Sequence, residues 1–200
     1  MQEKRFKTVV IVGLLAIFIT VTGLAVAFAN YSQELKINGV AKVSKTKWEV
    51  KFANLSNATT TGEVDLVTVP TLQLDDTYIG DYSVTFEKPN SSISYTFDVV
   101  NNGTFDAKLS TLTIPTPICT GTGNNADVDA KNVCDNLTYT LTKADGTAFA
   151  VNEVIPAGET GNSVSLKLTL SYGDVTDASK LPVDDVSISN LQIVATYIPE

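Results

Sequence analysis

Two hundred residues suffice for one domain with a substantial core, and 14 cationic against 22 acidic side chains give a net charge of −8, which argues against nucleic-acid binding. Histidine is absent and Arg5 is the only arginine, so Ser-His-Asp, Cys-His and histidine-ligated metal chemistry are excluded. Threonine, serine, asparagine and valine are abundant instead, the vocabulary of strands and polar turns.

Lys4, Arg5 and Lys7 precede an uncharged apolar run over residues 9–29, long enough to cross a hydrocarbon core as a helix. The positive flank stays inside, which sends the remainder outside. Ala25-Val26-Ala27 and Ala27-Phe28-Ala29 are small-x-small strings of the kind a signal peptidase cuts, making Ala27 and Ala29 the cleavage candidates. The expected organisation is therefore a signal peptide, or a membrane anchor if uncut, over 1–29, and a single domain over 30–200. Without its first 29 residues the chain carries 11 cations and 21 anions, a net −10. Residues 30–51 hold five lysines against Glu34 and Glu49, a local +3 that leaves −13 beyond them.

Leu35, Ile37, Ala41 and Val43 alternate around Gly39 and predict a first strand. Trp48, Val50 and Phe52 predict a second, with Trp48 as a core anchor rather than a carbohydrate platform. After a polar loop at 56–62, Pro70 divides residues 64–74 into short or edge strands, and Tyr82, Val84 and Phe86 share one face of the next.

The stretch 91–114 reads as a β-hairpin. Ile93, Tyr95, Phe97 and Val99 alternate before Asn101-Asn102-Gly103, whose residues tolerate the positive φ of a tight connection, and Phe105, Ala107 and Leu109 alternate after it. Leu112 and Ile114 change parity, which predicts a bulge near Ser110-Thr111.

Cys119 and Cys134 are the only cysteines and, in an oxidising compartment, pair in one disulfide. Between and beside them Asn124, Asn125, Asp127, Asp129 and Asp135 offer oxygens of the kind calcium takes. The spacing lacks the glycine and terminal glutamate of an EF-hand, so the stretch reads as a solvated acidic loop. Leu137, Tyr139 and Leu141 begin a strand that turns at 144–147, and Val164, Leu166, Leu168, Leu170 and Tyr172 give a clear period-two strand. A helical turn is expected at 177–180. Val186, Ile188, Leu191, Ile193, Ala195 and Tyr197 form a last strand that changes parity at Ser189-Asn190. No segment after Ala29 has a sustained helical period. The sum is an all-β chain, an antiparallel two-sheet sandwich of immunoglobulin-like or jelly-roll kind.

Two adjacent carboxylate pairs, Asp75-Asp76 and Asp184-Asp185, are the only concentrated acid groups. Neighbours on a strand point to opposite faces, so both read as turn residues and not as an acid/base dyad. No catalytic, cofactor-binding or metal-binding residue is expected.

The string Tyr95-Thr96-Phe97-Asp98-Val99-Val100-Asn101-Asn102-Gly103-Thr104, followed by Asp106-Ala107-Lys108-Leu109, resembles the strand and turn of TasA/camelysin-type secreted proteins of Gram-positive bacteria. Gly23-Leu24-Ala25-Val26-Ala27-Phe28 is similar to the end of that family's signal segment. The resemblance implies a β-sandwich subunit of extracellular matrix or surface fibres, with self-association or other surface proteins as partners. Camelysins are reported as proteases, from which this histidine-free chain departs.

The expected role is thus a secreted or surface-displayed structural protein, exported through the cytoplasmic membrane, that touches the membrane only through residues 9–29 if these are retained. The alternative is a membrane-proximal monomeric module that binds a glycan or protein ligand. For assembly, the basic strand with Leu35, Ile37, Gly39, Ala41 and Val43 is the expected exchanged element, entering an open sheet edge of a second copy.

Overall fold

The computed structural model describes Leu14, Lys42 and residues 45–158 and 161–200. The chain divides into two compact units, Met1–Ser44 and Lys45–Glu200, and every strand described belongs to the second. The expected signal segment apart from Leu14, the cleavage candidates Ala27 and Ala29, and the expected strand residues Leu35, Ile37, Gly39, Ala41 and Val43 lie outside the described residues.

Fourteen short strands build this unit: β1 (Val50–Ala53), β2 (Thr59–Thr61), β3 (Val64–Thr68), β4 (Leu72–Gln73), β5 (Tyr78–Ile79), β6 (Ser83–Phe86), β7 (Ser91–Asn101), β8 (Ala107–Thr113), β9 (Ile118–Gly121), β10 (Leu137–Lys143), β11 (Val154–Ile155), β12 (Ser163–Tyr172), β13 (Val186–Ser189) and β14 (Val194–Pro199). One α-helix, α1 (Ala126–Asp135), and a 3-10 turn at Ala178–Lys180 complete it. All pairings are antiparallel. The larger sheet runs β1-β7-β12-β10, with β2 on the same edge of β7 as β1; the smaller runs β11-β8-β14.

Alternation decides which face of the larger sheet is dry. Val99, Phe97, Tyr95 and Ile93 of β7 stand opposite Val164, Leu166, Leu168 and Leu170 of β12, all on the inner face. The outer face carries hydroxyls in rows, such as Thr59, Ser94, Thr169 and Thr140 across β2, β7, β12 and β10. Two covers close the inner face. Over one half the smaller sheet contributes Ala107, Leu109 and Ile155, which share a core with Phe97, Val99, Leu141, Phe149 and Leu166. Over the other half the β3–β6 ribbon brings Tyr82, Val84 and Phe86 against Ile93, Tyr95 and Leu170. Fully burying each large aliphatic side chain contributes about 1.5–3 kcal/mol.

The stretch 91–114 is not a hairpin. β7 pairs with β1, β2 and β12, β8 with β11 and β14, and the two lie in different sheets. Residues 101–106 therefore form a corner that carries the chain from one sheet to the other. Asn101 is fully buried there, at 0 % exposure. Its Nδ2 donates to the carbonyls of Phe105 (2.9 Å) and Ile155 (3.0 Å), and its Oδ1 accepts from the Gly103 amide (3.0 Å). Gly103 is required by close approach and not by positive φ: a Cβ there would lie 2.9 Å from Asn101 Oδ1 and 3.0 Å from the Lys47 carbonyl. Residues 47–49 strap the corner from outside, since the Asn102 and Thr104 amides donate to the carbonyls of Glu49 and Lys47. Phe105, aligned with Ala107 and Leu109 in a hairpin reading, is instead exposed on the corner.

Other expectations hold or shift for identifiable reasons. The register between β8 and β14 slips at Thr196/Tyr197, opposite Ser110 and Thr111, where the bulge was expected. The parity change at Ser189-Asn190 marks a change of partner: β13 pairs with β9 and β14 with β8, while Asn190 takes φ 59 between them. The turn at 144–147 forms, but its second strand shrinks to a single bridge between Thr142 and Ala148. The cysteine-bounded stretch is α1 rather than a loop, a helix whose buried residues are Asp129 and Val133. Trp48, expected in the core, is 43 % exposed.

If Asn101 holds the corner, Asn101→Ala removes its donors to the Phe105 and Ile155 carbonyls and leaves the Gly103 amide without its acceptor, and should destabilise the domain by about 2–4 kcal/mol in urea unfolding. The exposed neighbour Asn102→Ala should stay within about 0.5 kcal/mol of the parent.

Candidate functional site

The acidic positions are used by the fold. Cys119 of β9 and Cys134 of α1 are bonded, with Cα atoms 5.9 Å apart. That bond holds α1 across the β9–β13 ribbon. Asp129, on the same helix, is 3 % exposed and its Oδ2 accepts from the amides of Val183 (3.1 Å) and Asp184 (3.3 Å). An inward carboxylate committed to two backbone donors is a corrected reading of the solvated loop. Lys131 pairs with Asp135 one turn on. Among the described residues no three His, Cys, Asp or Glu side chains gather as metal ligands.

Asp75 and Asp76 are turn residues, as expected, but in an unusual turn. Leu74, Asp75 and Asp76 take φ of 53°, 55° and 64°, three consecutive left-handed non-glycine residues. Each costs roughly 1–2 kcal/mol. The turn docks on β1: the Asp76 carbonyl accepts from the Phe52 amide at 2.7 Å, and the Asp76 carboxylate lies 3.7 Å from Lys51 Nζ. Asp184 and Asp185 likewise sit in a connection, before β13.

Two hollows open where β1, at the edge of the larger sheet, approaches β14, at the edge of the smaller. The lesser, of about 260 Å³, is walled by Trp48, Val50, Phe52, Thr77, Thr196 and Tyr197. Here the outer edge of β1 makes one backbone hydrogen bond, Phe52 to Asp76, and that of β14 makes none among the described residues. The greater hollow, about 750 Å³, lies under residues 188–195 between the two covers of the larger sheet. Phe52, Phe97, Leu141, Leu168 and Ile193 give it an apolar wall.

Five tyrosines also line it: Tyr78, whose hydroxyl donates to Asp81, and the four inward-facing Tyr82, Tyr95, Tyr139 and Tyr197. The rings of Tyr82 and Tyr95 meet at 5.6 Å, and the Tyr139 hydroxyl donates to the Leu191 carbonyl. The hydroxyls of Tyr82, Tyr95 and Tyr197 are buried without a partner among the described residues. Burial pushes all four phenols above their ordinary value, reinforced at Tyr82 by the neighbouring Tyr139 and Tyr95 and at Tyr197 by Glu153. They therefore remain neutral donors. Sequence alternation placed each of these tyrosines inward and treated them as core. The missed signal was that four inward phenols each need an acceptor.

Among the described residues no helix is long and apolar enough to cross a membrane. Comparison with known proteins found no matching family model, no matching curated relative and no matching solved structure.

Two outcomes follow. Cys119→Ser opens a bond spanning a sequence separation of 15 and should cost about 3 kcal/mol in urea unfolding. The raised phenols set an alkaline limit: unfolded tyrosines ionise near 10.0, and the folded ones resist. Stability should be insensitive to tyrosine ionisation well below pH 10 and fall above it, with tyrosinate absorbance from the buried residues appearing together with unfolding.

Proposed function

We propose that the chain is a secreted or surface-displayed structural protein whose copies join by strand addition at the β1–β14 seam, as a subunit of extracellular matrix fibres of a Gram-positive biofilm. The observation that carries this reading is the pair of sparsely bonded strand edges flanking an apolar hollow, which offers backbone donors and acceptors together with pockets for alternate side chains. The strand added is the segment with Leu35, Ile37, Gly39, Ala41 and Val43, whose four apolar residues suit those pockets. Its local charge of +3 is attracted by the −13 of the remaining chain, so association slows as salt is added.

Export through residues 1–29 accords with the Cys119–Cys134 bond, which persists in oxidising compartments. The two sheets sharing one core support a sandwich, in finer terms of immunoglobulin-like or jelly-roll kind. We assign no catalytic role, since no histidine is available and the paired carboxylates occupy turns.

A second reading, a membrane-proximal module for a glycan or protein ligand, is favoured by one observation. Trp48 is 43 % exposed beside Lys51, Thr77 and Thr196, a stacking face next to polar groups. The readings separate in the protein beginning at residue 30. Electron microscopy should show filaments, deletion of residues 30–43 should abolish them while leaving a folded domain, and an added peptide of that sequence should cap the parent. Monomers at high concentration that bind a glycan, with binding lost in Trp48→Ala, would replace the first reading by the second.

A further inference from the structure

We propose that the larger hollow is a binding site for a neutral, lipid-like molecule carrying a carbonyl oxygen, such as a long-chain ester. The larger hollow adjoins the seam, since Phe52, Thr77 and Tyr197 line both hollows, but the inference concerns ligand binding beneath residues 188–195 and does not rest on strand addition. Three observations carry it. The volume, about 750 Å³, falls within the roughly 300–1,000 Å³ of small-molecule sites and exceeds what a packed core leaves empty. The wall is mostly aliphatic and aromatic, with Thr77, Ser189, Asn190 and Gln192 as its uncharged polar members, and its one charged residue, Asp81, already accepts from the Tyr78 hydroxyl at 2.9 Å. Tyr95 is 3 % exposed, and its hydroxyl and those of Tyr82 and Tyr197 lack acceptors among the described residues.

These facts conflict in an empty cleft. Water would satisfy the phenols but wet the surrounding hydrocarbon wall, whereas an alkane would dry the wall and leave three donors unpaired. A molecule with an apolar body and an uncharged acceptor meets both demands. A carboxylate is disfavoured, because the wall supplies no cation to offset its desolvation. The Tyr82–Tyr95 pair marks where the carbonyl docks, since their rings adjoin at 5.6 Å and neither buried hydroxyl has a partner among the described residues. Leu168, opposite Tyr95 in the β7–β12 register, lines the apolar body's path.

The test uses Nile red, a neutral aromatic dye with a carbonyl oxygen, titrated into the full chain from residue 30 and followed by fluorescence. One saturable site is expected, emptied by methyl palmitate and resisted by palmitate anion. The double substitution Tyr82→Phe and Tyr95→Phe should weaken dye and ester binding by about tenfold, the equivalent of one to two net hydrogen bonds. Leu168→Trp should block the dye while circular dichroism stays that of the parent. If Leu168→Trp unfolds the chain, the phenylalanine pair decides alone, because it removes only two hydroxyls and keeps both rings. The proposal is overturned if the folded parent binds no dye. It is equally overturned if the phenylalanine pair binds as the parent does, or if palmitate displaces the dye as well as its methyl ester.

Discussion

The hydrogen-bonding of Asn101 is the constraint on which the two-sheet arrangement depends. Its backbone amide donates to the Asn162 carbonyl at 2.8 Å, and its own carbonyl accepts from Asn162 Nδ2. With the side-chain bonds to Phe105, Ile155 and Gly103, one residue with no exposed surface ties the end of β7 to the loop before β12, to the corner and to β11 of the other sheet. A leucine of similar size would contribute burial but lose all three side-chain hydrogen bonds, so the site demands an amide.

From that corner the rest of the architecture follows. β7 spans eleven residues, with Ile93, Tyr95, Phe97 and Val99 on one continuous inner face, yet β8 spans only seven before Pro115. The smaller sheet therefore covers part of β7, and the β3–β6 ribbon covers what remains. Two separate covers over one long face leave a junction between them. Residues 188–195, which leave β13 at Ser189 and enter β14 only at Val194, roof that junction, which is why the large hollow and its unpartnered tyrosines occur there.

Much of this was legible in the chain, for a physical reason. Period-two alternation fixes which side chains share a face, so the inward residues of β7, β10 and β12 and the bulge opposite Thr196 could be read directly. Alternation does not name the partner strand. Phe97, Val99, Ala107 and Leu109 cluster in the same core whether they lie on one sheet as a hairpin or face each other from two, and the strand pairings distinguish these cases. The helix α1 was invisible because its inward positions include an aspartate, which an apolar period does not register. Trp48 alternates correctly with Val50 and Phe52 but precedes the start of β1 at a sheet edge, where its alternation does not ensure burial. The tyrosine-lined hollow was hidden by the same logic, since an inward tyrosine counts as packed until its hydroxyl is traced.

The central claim, that β7 and β8 belong to different sheets joined through Asn101, is tested most directly by cross-strand proton contacts in nuclear magnetic resonance spectra. The account predicts backbone contacts of Val99 with Val164 and of Leu109 with Tyr197, following the registers β7–β12 and β8–β14. Backbone contacts of Val99 with Asp106 and of Phe97 with Lys108, the register of a hairpin closed at Asn102-Gly103, would contradict it.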